Sequence, residues 1–159
     1  MILYHGSNVV IETPDISKSK PFKDFGQGFY LSAVESQAFD MAKNRVNITR
    51  TGTPVINKFE FDENILKSSD FRVKVWDNYC VEWARFVDRN RDEKLPPLPV
   101  EYDIIYGPIA NDGVNFQLRR YRAGYLTIEE LVNELIYDKG ITFQYFFATE
   151  KALKTLKRV

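Results

Sequence analysis

A chain of 159 residues, 44% apolar and 28% charged, has the length and composition of one packed domain, which excludes a multidomain machine and a disordered segment. Twenty-two basic side chains balance twenty-two acidic ones, so no global positive field draws in nucleic acid and only a local patch could do so. No apolar run approaches the ~18–20 residues that span a bilayer, and "MILYHGS" lacks the parts of a secretory signal, so cytoplasmic residence and no membrane partner are expected.

The opening "ILY" is β-prone and reaches Gly6 at once, so a first strand leaves His5 at its edge. From Asn8 to Gln27 the text is polar and rich in Pro and Lys and reads as a crossing loop; Gly28 to Ser32 reads as the second strand. Ser32 and Glu35 have the spacing of a capping box, and Ala38, Phe39, Met41 and Ala42 recur at helical steps, which predicts a helix over Val34 to Asn44. In "PVINKFEF", Val55, Asn57, Phe59 and Phe61 share one face of a period-two strand, with Ile56, Lys58 and Glu60 on the other. Trp76, Tyr79, Cys80, Trp83, Phe86 and Val87 fall at steps of three and four and predict a helix whose stripe packs a core.

"PPLP" at 96–99 closes that region, and "YDIIYGPI" supplies a strand stopping at Gly107 and Pro108. Thr127 and Glu130 repeat the capping-box spacing before Leu131, Leu135 and Ile136, giving a helix that ends by Gly140. "TFQYFFAT" reads as the last strand, and Thr149 caps a short basic helix whose Lys151, Lys154, Lys157 and Arg158 form a solvated face. Strands and helices do not alternate as a doubly wound sheet requires, so the expected class is α+β, in a single domain over residues 1–159.

Metal chemistry is not expected, because one His and one Cys cannot build the usual soft-ligand site and no acidic loop has calcium spacing. Cys80 lies on the apolar stripe, which favours a buried inert thiol over a nucleophile working with His5. "GQGFYL" is too short and too aromatic for a dinucleotide fingerprint, and no phosphate-binding P-loop run exists.

Two short motifs stand apart: "LYHGS" at 3–7 and "DFGQGFYLS" at 24–32. Together they resemble the ADP-ribosyltransferase superfamily, in the branch of the poly(ADP-ribose) polymerases and diphtheria toxin. There a strand ending in His-Gly-Ser/Thr precedes a Gly-x-Gly-x-Tyr strand. The family's third signature is a Glu on a later strand, and "FQYFFATEKAL" aligns so that Gln144 takes its place. The middle of the chain, including "YDIIYGPIAND", looks like a small family of uncharacterised bacterial proteins. The resemblance implies a split β-sandwich of two small mixed sheets with flanking helices and an NAD cleft between them.

The resemblance also implies roles. His5, Gly6 and Ser7 would hold the dinucleotide, with His5 on the adenosine ribose and Gly6 letting the ligand approach the main chain without a Cβ. Gly28 and Phe29 would line the same cleft, and Tyr30 would stack on the nicotinamide. A second aromatic normally follows eleven residues later; here that position is Met41, with Phe39 two residues before it. Gln144 can orient a ribose but carries no charge and cannot deprotonate an acceptor, which argues against polymer synthesis. Glu150, if the strand runs that far, and Asp112 are the acids that could substitute for it.

The implied activity is transfer of one ADP-ribose unit from NAD to a protein or nucleic-acid acceptor. A bacterial toxin or effector is the analogous setting, with an antitoxin as the corresponding partner. Two rivals are an NAD glycohydrolase and a binding module that kept the groove and lost turnover.

Overall fold

Alternating burial and turn residues divide the chain into short strands and helices, and the computed structural model describes all residues from 1 to 159. In order these are β1 (Ile2–Ser7), β2 (Phe29–Leu31), α1 (Glu35–Thr49), β3 (Val55–Glu60), β4 (Val73–Val75) and α2 (Val81–Arg91). They continue as β5 (Ile104–Pro108), α3 (Val114–Arg122), α4 (Ile128–Leu135), β6 (Phe143–Phe147), α5 (Glu150–Leu153) and β7 (Lys157–Arg158), with 3₁₀ turns at Ile16–Lys18 and Glu63–Lys67.

The strands form two small sheets, so the protein is α+β. One is antiparallel in the order β1-β3-β7; the other runs β2-β6-β5-β4, with only β4 and β5 parallel. A single bridge, Tyr4 with Ser32, joins β1 to β2 and thus one sheet to the other. In β3, Asn57, Phe59 and Phe61 are buried while Lys58 and Glu60 face out, as the period-two pattern predicts.

Each face of the four-stranded sheet has its own core. Leu3, Phe59 and Phe61 meet Phe29, Leu31, Ile104, Tyr145 and Phe147 between the sheets. On the opposite face Ile105 and Phe146 meet Trp83, Val87, Leu118, Leu131 and Leu135 from the helices. Both faces of β6 are therefore covered, which is why "FQYFF" reads as a nearly unbroken apolar run, each large side chain contributing about 1.5–3 kcal/mol on burial. Gln144 is the one polar residue in that run, and it is buried as well.

Several expectations about elements need correction. Ser32 and Glu35 form no capping box: Val34 occupies the N-cap, the Ser32 hydroxyl donates to Gln37, and Glu35 pairs with Lys58 at 2.8 Å. The helix also runs past Asn44 to Thr49, where Arg50 turns left-handed and ends it. Trp76 and Tyr79 precede α2, whose N-cap is Cys80, so the stripe of threes and fours straddles a strand end, a turn and a helix. "TFQYFFAT" is not the last strand, because Lys157 and Arg158 pair with β3, and for the same reason the basic run is not one helix face. Thr127 with Glu130 does close a full capping box, and Thr149 caps α5 by accepting from the Ala152 amide. No helix is long and apolar enough to cross a membrane.

Candidate functional site

His5 points into the space between the sheets, opposite Asn57 in the β1–β3 register. Its ring stacks on Phe29 with centroids 4.3 Å apart, and Nδ1 lies 2.7 Å from the main-chain oxygen of Tyr30. A carbonyl only accepts, so Nδ1 carries the proton and donates, leaving Nε2 as a free acceptor in the neutral ring. Burial lowers the His5 pKa, and the Arg45 charge pushes the same way against the Tyr30 hydrogen bond, so the neutral form holds at pH 7. The buried Asn57 amide accepts from Ile11 and donates to Val9, which fixes where the chain leaves β1.

Alternation sends the Tyr30 ring to the other face of the sheet, the one the helices cover. It packs on Phe146, its cross-strand partner, at 4.7 Å and lies 6.4 Å from Phe25. Its hydroxyl donates to the Gly26 carbonyl at 2.7 Å and accepts from the Phe25 amide at 3.0 Å. Burial and the neighbouring Asp24 charge hold the phenol well above its ordinary pKa, so it stays protonated. The segment it ties down bends through left-handed positions at Phe22 (φ 62°) and Gly26 (φ 95°).

Gln144 shares this face, two residues before Phe146 on β6 and opposite Gly107 on β5. Its Nε2 donates to Asp24 Oδ2 at 3.0 Å and, more weakly, to the Pro108 carbonyl at 3.4 Å. Asp24 Oδ1 accepts from Arg91 Nε at 2.6 Å, and Arg91 Nη1 donates to Asn115 Oδ1 at 3.0 Å. Asp24 is 5% exposed and Gln144 9%, so a carboxylate is held out of water by one guanidinium and one amide. The segment from Asp24 to Tyr30 is the hub: His5 binds its last carbonyl and Gln144 its first side chain.

The remaining predicted residues divide. Ser7 is buried, and its hydroxyl accepts from the Val9 amide. Gly6 is a close-approach glycine whose neighbour is α1: a Cβ there would come within 1.8 Å of the Ala38 carbonyl oxygen. At Gly28 a Cβ would meet the Phe146 ring at 2.3 Å. Phe39 and Met41 lie on α1 at 44% and 62% exposure, apart from the Tyr30 ring, and a Lys43 ammonium sits over Phe39.

Of the substitute acids, Glu150 begins α5 three residues after β6 has ended, so it does not share the strand alternation of Gln144. Asp112 is exposed in the turn before α3 and lines an open concavity of about 400 Å³ with Asn133, Glu134 and Lys139. That hollow, and a second of about 390 Å³ at Met1 and Phe61, lie away from His5, Tyr30 and Gln144. Cys80 is half-buried at the N-cap of α2, its sulfur accepting from the Trp83 amide, rather than inside a helix stripe. Sequence reasoning missed Asp24 and Arg91. Asp24 opens the motif "DFGQGFYLS", yet the acids the sequence offers as substitutes are Asp112 and Glu150, one on either side of Gln144, and Arg91 is one of five charged residues of α2 with no local pattern to set it apart.

Fold and cluster together define an α+β protein of two small sheets in which a chain from part-buried Arg91 through buried Asp24 to buried Gln144 joins α2, the segment before β2, and β6. The family described as "Protein of unknown function (DUF3990)" matches residues 1–158, and the chain belongs to that family. No curated protein and no solved structure matches it at a significant level.

Proposed function

We propose that this protein binds NAD, breaks its nicotinamide–ribose bond and passes the ADP-ribose unit to a nucleophile on a macromolecule, on the split-sandwich plan of the ADP-ribosyltransferases. The observation that carries this reading is the hub at 24–30. His5 from one end of the chain and Gln144 from the other both anchor on the segment that holds Tyr30.

The chemistry follows from the atoms left free. Neutral His5 keeps Nε2 as an acceptor for a ribose hydroxyl. The Gln144 nitrogen is committed to Asp24 and Pro108, and Oε1 makes no hydrogen bond within the protein, so on the other face of the sheet from His5, which keeps the adenosine ribose, it can accept from a hydroxyl of the nicotinamide ribose. As the bond to nicotinamide breaks, its electron pair leaves with the ring and positive charge builds on the ribose. A preorganised negative dipole favours that state. The acceptor then bonds to the ribose carbon and gives its proton to solvent. Stacking of nicotinamide on Tyr30 requires Phe25, whose ring lies 6.4 Å from it, to be displaced. The acceptor is a protein or nucleic acid, in the setting of a toxin held by an antitoxin.

One observation favours a second reading, a module that binds NAD without turnover: Gln144 cannot take a proton. Incubation with NAD labelled in the adenosine half plus whole-cell extract separates the readings. Transferase activity gives nicotinamide release and label freed only by protease or only by nuclease. Free ADP-ribose identifies a glycohydrolase, and binding with no nicotinamide release identifies the module. In the transferase case His5→Ala and Tyr30→Ala each abolish release; wild-type rates in both overturn the assignment.

A further inference from the structure

The Arg91–Asp24–Gln144 chain is more than a tie between elements, because its hydrogen bonds determine which way the Gln144 amide faces. An ionised carboxylate only accepts, so the amide must turn its nitrogen to Asp24 and its oxygen away. The Pro108 carbonyl, also an acceptor, reinforces the same orientation. Arg91 neutralises Oδ1 from the far side, while Oδ2 faces Gln144, so the negative end of the ion pair is directed along the amide. The bond from Nε2 to a carboxylate polarises the amide and places added negative potential on Oε1.

We propose that Asp24 is a positioning residue for Gln144. It fixes Oε1 as the atom presented to the ribose and lends it part of the charge that an amide lacks. This rests on the NAD-cleaving reading above. Neither Glu150 nor Asp112 is then needed as a substitute acid; the substitute lies one side chain behind the amide.

Two substitutions and their combination test this, read by nicotinamide release and by melting temperature. In Asp24→Asn the new side chain still accepts from Arg91 but offers an N–H to Gln144. The amide flips, Oε1 turns inward, and kcat falls about 10- to 100-fold with KM nearly unchanged. Gln144→Glu alone sets two carboxylates at hydrogen-bond distance, so it lowers both activity and melting temperature instead of improving the enzyme. The double variant Asp24→Asn/Gln144→Glu keeps the bond between positions 24 and 144, now donated by the amide introduced at position 24, gives up only the weak one to the Pro108 carbonyl, and moves the charge forward by one side chain. It restores melting temperature and returns kcat to at least the wild-type level.

A tie with no catalytic part gives a different pattern. Asp24→Asn would then leave kcat unchanged in folded protein, or the double variant would regain its melting temperature without its rate, and either result overturns the proposal. A wild-type protein that never releases nicotinamide removes the NAD reading itself, and does so before any variant is compared.

Discussion

At the His5 imidazole, burial and a single hydrogen bond act in opposite directions, and burial prevails. A pKa lowered in the fold means that the unfolded chain binds the proton more tightly. Stability is therefore unaffected above the ordinary value of 6.5 and declines as the pH falls through it toward the folded value. His5 is the only histidine, so this window belongs to it alone. Urea midpoints measured between about pH 7.5 and 5.5 should fall in the wild type and stay level in His5→Gln; equal slopes would show that the ring is not held neutral. Tyr30 separates in a similar way into ring and hydroxyl. Tyr30→Phe should cost about 1–2 kcal/mol by removing the bonds to Phe25 and Gly26, yet keep most NAD turnover because the stacking face remains. Loss of all turnover in folded Tyr30→Phe would move the role from the ring to the phenol.

Among the elements, the contact between α1 and β1 is set by an absent side chain. Gly6→Ala must push the Ala38 carbonyl away by more than an ångström, at a cost of about 3 kcal/mol or more, visible as a lower melting temperature. Were Gly6→Ala as stable as the wild type, α1 would not lie where the structure has it. Elements with strong local signals were legible in the sequence: Thr127 and Glu130 close their box, and β3 alternates as read. The strand β4 has only Val73 and Val75 around Lys74, too short an alternation to read, and the adjacent Trp76 fell into an apparent helical stripe. In α3 only Val114 and Leu118 are buried while Phe116 is exposed, too thin a stripe to read. The strand β7 is two charged residues, and nothing but its pairing with β3 makes it a strand. Ser32 and Glu35 had the right spacing for a box, but Glu35 opens α1 and pairs with Lys58 on β3, and a helix-to-strand partner so far along the chain leaves no trace in local sequence.

For the whole molecule, the candidate site depends on two sheets meeting at one bridge, Tyr4 with Ser32, so that a residue near each end of the chain reaches the same segment. The three motif positions were legible in the sequence because each belongs to a short local pattern. The partners that orient them were not, because Asp24 meets Gln144 across 120 residues and Arg91 across 67. The central claim is that this junction recognises NAD. Calorimetric titration of NAD into purified wild-type protein and into His5→Ala, with released nicotinamide quantified in the same samples, tests it most directly. Saturable heat and nicotinamide release in the wild type, both lost in a folded His5→Ala, are the predicted result. Neither heat nor release from the wild type, or the same binding in both proteins, would contradict it.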